Sequence, residues 1–188
     1  ADIQERQAEL SQKFSENALD ATDAFAYYAK LGELEGVPED VVSAARSAAD
    51  AEGKDGYKLT LKMPCYLPVM QFAKSSALRE TLYRAYVTRA SELGDPAFDN
   101  TALINEILAL REEEAKLLGY RNFGELSVVP KMAESPEQVT KFLRDLAAKA
   151  KPYGERDLAD LRAFAAEQLG ITDPQAWDWS YIGEKLKE

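Results

Sequence analysis

The sequence predicts a mainly α fold: long antiparallel helices with one minor β element. Three observations predict it. Apolar residues recur at steps of three, four and seven through most of the chain, the spacing of a helix with one buried face. Ala, Leu, Glu, Lys and Arg dominate, while most Gly and Pro sit at the boundaries of the periodic stretches. One stretch alone, Tyr57–Met63, alternates apolar and polar residues with the period of a strand.

Composition limits what such a fold can do. At 188 residues with 46% hydrophobic residues, the chain carries enough apolar material for a core and is expected to be a single helical unit, 1–188. A net charge of −10 repels phosphate backbones, so nucleic acid is not an expected partner. The absence of any apolar run of about 18 residues leaves no membrane span to expect. A single cysteine, Cys65, precludes an intramolecular disulfide and suits a reducing, cytoplasmic setting. The chain has no histidine. That excludes a His-based triad, a His general base, a HExxH zinc site and the Glu-x-x-His ligands of di-iron bundles.

Each element has a local reason. Ile3, Leu10, Phe14, Ala18, Ala21, Phe25 and Tyr28 share one face, predicting a single long helix from Ala1 to about Gly36. It starts without a convincing N-cap, as expected of a chain taken from inside a longer protein. Pro38 suits the first turn of a second helix, with Glu39 and Asp40 complementing its dipole and Gly53 stopping it. The strand follows at 57–63 and ends at Pro64, which cannot donate to a ladder. A lone strand cannot satisfy its backbone, so it must pair with a segment not evident in this sequence or with one outside the chain, and Trp177–Tyr181 is the one weak aromatic-rich candidate. A helix is expected after Pro68 to about Leu93, and another from Thr101 to Leu118, capped by Asp99 or Asn100 and stopped by Gly119. A short helical turn is expected at Phe123–Val128. Ser135-Pro136-Glu137-Gln138 reads as a capping box opening a helix to Gly170, which Pro152 should kink or divide. A last helix is expected to open at Gly183.

No residue set points to chemistry carried by this chain, so no catalytic, cofactor-binding or metal-binding residue is expected. Glu112, Glu113 and Glu114 stand about 100° apart on their helix and do not converge on a ligand. Arg79, Arg84 and Arg89 are five apart, so they spiral, and no glycine-rich loop accompanies them; solvated or ion-paired arginines are expected. Cys65 has no histidine to activate it and reads as a partly buried structural thiol. Trp177 and Trp179 read as core or interface anchors.

Tyr57–Ser91 carries a specific resemblance. The pieces LTLKMPCYLPVM at Leu59–Met70 and LRETLYRAYVTRAS at Leu78–Ser91 resemble the thimet oligopeptidase family of zinc metallopeptidases. So do LSQKFSENALDAT at Leu10–Thr22, DNTALINEILALREEEAKLLGY at Asp99–Tyr120, KMAESPEQV at Lys131–Val139 and the WDWSY region. The resemblance implies a two-lobed helical fold around a narrow channel that admits short peptides. It also implies zinc held by a HExxH helix and a later glutamate, with the motif glutamate activating water. This chain has no histidine to match them, so the resemblance implies a piece of the N-terminal lobe and channel wall, without cofactor of its own and inactive alone. The implied partners are the missing C-terminal catalytic portion and short peptides. A stand-alone helical module that binds peptides or proteins without catalysis is the alternative. One departure stands near the end: the family has two adjacent tyrosines where this chain reads Tyr181-Ile182-Gly183.

Overall fold

The computed structural model of the chain describes residues 2–188. Among them are eight α-helices and one two-stranded sheet, so the fold is mainly α. The chain divides into two compact units: residues up to Glu16 with Asn100–Leu158, and Asn17–Asp99 with Ala159–Glu188.

The second unit holds the hydrophobic core and the sheet. Helix α1 (Asp2–Ala24) ends well before the expected Gly36, and the first residue of that expected helix, Ala1, lies outside the described residues. Residues Tyr27–Ala29 form strand β1 instead, followed by a 3-10 turn at Leu31–Leu34. Phe25 and Tyr28 fit the helical spacing, but a Tyr-Tyr pair favours extended backbone, where aromatic side chains pack well. Glu33 then fixes the exit: it accepts from the Tyr27 hydroxyl (2.7 Å) and from the Lys30 N–H (2.7 Å).

β1 is the partner that the predicted strand needed. Strand β2 (Tyr57–Leu59) pairs with it antiparallel, Tyr27 opposite Leu59 and Ala29 opposite Tyr57. Trp177–Tyr181 is not the partner. β2 is also shorter than the predicted 57–63. Met63-Pro64 starts helix α3 (Met63–Phe72) rather than merely ending a strand, because Pro64 sits in the first turn, where its missing N–H has no helical bond to lose. The Lys62 carbonyl accepts from Cys65 (2.9 Å) and Tyr66 (2.8 Å) to close that turn.

The helix expected from Pro68 to Leu93 is likewise two helices. α3 stops at Phe72 and α4 spans Ser76–Thr88, with the Ser75 hydroxyl accepting from the Leu78 N–H (3.2 Å). α2 (Glu39–Ala51) lies where predicted, although Pro38 is its N-cap rather than a first-turn residue, and it packs on β2. Helix α8 (Trp179–Lys187) packs on α3. It begins before Gly183, which therefore lies mid-helix. Leu59, Leu61, Val69, Met70, Leu78 and Leu82 fill the core between these elements.

The described elements of the first unit are all helices. α5 (Thr101–Leu117) ends in a Schellman turn: Gly119, at φ +83, donates to Lys116, and Tyr120 donates to Ala115. α6 (Phe123–Val128) lies at its predicted place and packs on α5. Ser135 opens α7 (Pro136–Leu169), accepting from the Gln138 N–H (3.1 Å), while the Gln138 side chain reaches back to the Glu134 N–H (2.8 Å). α7 runs undivided through Pro152. The part of α7 up to Leu158 belongs to this unit.

Candidate functional site

The feature most like a site is a buried charge pair in the second unit. Arg79 is 1% exposed and Asp178 3%. The Arg79 guanidinium donates from Nη2 to Asp178 Oδ1 (2.6 Å) and from Nη1 to the carbonyls of Ala73 and Lys74. Its face lies 4.3 Å from the centre of the Tyr181 ring. Asp178 also accepts from the Ser76 hydroxyl (3.0 Å) and, through Oδ2, from the Gln175 N–H (2.9 Å). The carbonyls at the α3–α4 break are therefore satisfied by the arginine, and the arginine is neutralised by Asp178, the residue that directly precedes α8. This is a lock between three elements.

A second polar cluster lies on the sheet. Glu52 accepts from the Tyr28 hydroxyl (2.5 Å) and pairs with Lys58. The bond to Lys58, then that to Tyr28, holds the Glu52 carboxyl below the usual carboxylate range. The same bonds push the Tyr28 phenol and the Lys58 amine up. All three move away from neutrality, the opposite of what a general acid or base needs. Nearby in the core, burial pushes the Tyr66 phenol up to about 12.

A pocket of about 300 Å³ in this unit is lined by Phe25, Leu61, Ala85, Arg89, Asp95 and Phe98, among others. Arg89 does not reach freely into it, since it lies 3.7 Å over the Tyr86 ring and donates to the Tyr86 carbonyl (3.1 Å). Tyr86 in turn stacks on Tyr66 at 4.3 Å.

The residues weighed in the sequence fall as follows. Arg79, Arg84 and Arg89 do not converge; Arg84 pairs with Glu80 (2.7 Å) on the surface. Cys65 is half-buried and its Sγ accepts from the Thr60 N–H (3.4 Å). Glu112 pairs with Lys116 (2.6 Å), while Glu114 accepts from the side-chain amides of Gln4 and Gln7. Trp177 donates to the Ser76 hydroxyl (3.1 Å) and lies under Arg84, and Trp179 faces Arg162. Zinc does not fit these donors. The chain has no histidine, its one thiol is engaged by a backbone N–H, and among the described residues no three His, Cys, Asp or Glu side chains gather.

Sequence reasoning missed how Arg79 is used. A signal was present: Arg79 starts an i, i+3, i+4, i+7 stripe with Leu82, Tyr83 and Tyr86, the positions of a buried face. Asp178, between two tryptophans, was the matching acid.

Comparison with known proteins matches this architecture to one group. The model of peptidase family M3 matches residues 69–188. Oligopeptidase A of Salmonella typhimurium is 47% identical over 190 residues, taking in 100% of this chain and 28% of its own length. Oligopeptidase A of Escherichia coli gives the same identity and coverage. The probable cytosolic oligopeptidase A of Arabidopsis thaliana is 42% identical over 99% of this chain and 27% of its own length. The chain thus spans 28% of the length of the bacterial relatives that it matches.

Proposed function

The chain belongs to peptidase family M3, and on that premise we propose that it is the non-catalytic, N-terminal-lobe part of a zinc-dependent oligopeptidase. In this reading it forms channel wall, helps restrict substrates to short peptides and works in the cytosol. The zinc ligands and the group that activates water come from the portion of the family that this chain does not span, and the chain alone is inactive. One observation carries the proposal: all of this chain aligns at 47% identity with only 28% of oligopeptidase A. The side chains agree with it. Their strongest polar groupings, Arg79 with Asp178 and Glu52 with Tyr28 and Lys58, are paired and hold the scaffold.

The test is a chimera. The matched stretch of Escherichia coli oligopeptidase A is replaced by this chain, and hydrolysis of short peptides is measured. Retained hydrolysis is expected. A folded chimera without hydrolysis refutes the reading. The alternative, a binding module without catalysis, draws on the exposed apolar side chains of α7. A reading frame that stops after Glu188 favours it, and one that continues into a HExxH segment excludes it.

A further inference from the structure

The first unit has almost no interior. Among its described residues only Leu10 and Ala115 are buried hydrophobics, whereas the main core cluster lies entirely in the other unit. Its apolar side chains are instead displayed. On α7, Phe142, Leu143 and Leu146 lie three, four and seven residues beyond Val139, Tyr153 lies seven beyond Leu146, and the five occupy an arc of about 100° on the helix. Phe142 is 65% exposed and Tyr153 63%. Lys149 and Arg156 flank the stripe, Arg156 lying 4.7 Å over the Tyr153 ring, while the pairs Lys141–Asp145 and Lys151–Glu155 lie on the far side. A helix patterned this way is built to be covered along one face.

From this we infer that the α7 stripe from Val139 to Tyr153 is the docking face for helices of the remaining portion of the M3 peptidase, which pack on it through an apolar face fringed with acidic side chains. The inference rests on the functional reading above and adds the surface through which it operates. Three observations name this occupant. The relatives that align with the whole chain are far longer than it, so surplus chain exists to supply the cover. Among the described residues the unit buries only Leu10 and Ala115 of its hydrophobics, so its own side chains leave the stripe uncovered. Lys149 beside Phe142 and Arg156 over the Tyr153 ring also give the stripe a basic flank, in a chain whose net charge is −10. A second copy meeting this face with its own would set cation against cation, whereas an acidic fringe complements it.

Hydroxyl-radical footprinting of the chimera tests the inference, with oxidation read by mass spectrometry at Phe142 and Tyr153 and compared with the isolated 188-residue chain. Oxidation at both residues is expected to fall about tenfold in the chimera as neighbours exclude solvent. A chimera that hydrolyses peptides while Phe142 and Tyr153 oxidise as in the isolated chain overturns the docking face and leaves the functional reading standing. A folded chimera with the stripe protected but no hydrolysis does the reverse. A second measurement stands apart from the chimera: footprinting of the isolated chain across a concentration series, with its mass followed by light scattering. Oxidation independent of concentration is expected. Protection that grows with dimer mass overturns the inference and makes a second copy the occupant.

Discussion

Substituting Asp178→Ala tests the lock that joins α3, α4 and α8. The change removes the acceptor for Arg79, for the Ser76 hydroxyl and for the Gln175 N–H. It leaves a guanidinium that is 1% exposed facing two carbonyls and the Tyr181 ring. Removing one partner of a buried ion pair costs about 3–5 kcal/mol, mostly because the remaining charge stays desolvated. The two carbonyls and the ring offset part of this, so the lower end, about 3 kcal/mol, is expected. Asp178→Asn keeps an acceptor and should cost less, about 1.5–3 kcal/mol. Replacing both partners, Arg79→Met with Asp178→Leu, should recover most of the loss, to within about 1.5 kcal/mol of the natural chain. Urea unfolding followed by circular dichroism and by the fluorescence of the chain's two tryptophans, Trp177 and Trp179, measures all three. An Asp178→Ala loss under about 1 kcal/mol would refute the claim that this pair is desolvated.

Three further outcomes are expected from the same assay. Gly56→Ala and Gly36→Ala should each cost at least about 2 kcal/mol, because both glycines have positive φ and a Cβ would stand 2.7 Å from the Ala29 carbonyl oxygen or 2.4 Å from that of Phe72. Gly183→Ala, mid-helix with open space around it, should stabilise by about 0.5–1 kcal/mol. Ser135→Ala should cost about 1 kcal/mol by leaving the Gln138 N–H without its cap. Tyr66 gives a pH dependence. Burial first, then the neighbouring Tyr86 and Tyr83, hold its phenol up to about 12 against the opposing effect of Arg89. The unfolded chain therefore loses this proton first as pH rises. The contribution of Tyr66 is intact below about pH 10 and is lost between about pH 10 and 12, up to roughly 2 kcal/mol. Tyr66→Phe should flatten that part of the stability profile, and an unchanged slope would refute the assignment.

Much of the fold was legible because its signals are local. The α5 stop at Gly119, the Ser135 cap and the short α6 each depend on residues within one turn of one another. What was not legible depends on partners distant in sequence. Tyr27–Ala29 fits a helical face as well as a strand until Tyr57–Leu59 is known to lie beside it. Met63-Pro64 ends a strand and begins a helix with the same residues. Arg79 was seen as ion-paired or solvated, but its burial depends on Asp178, 99 residues away in sequence. The lack of histidine bears on the proposed role alone, since it leaves this chain no donors for a histidine-ligated zinc site.

The central claim is that these residues hold no catalytic centre. Peptide hydrolysis by the purified 188-residue chain, assayed with and without added zinc, tests it most directly. The account predicts no turnover above buffer in either condition. Zinc-dependent hydrolysis by this chain alone would contradict it.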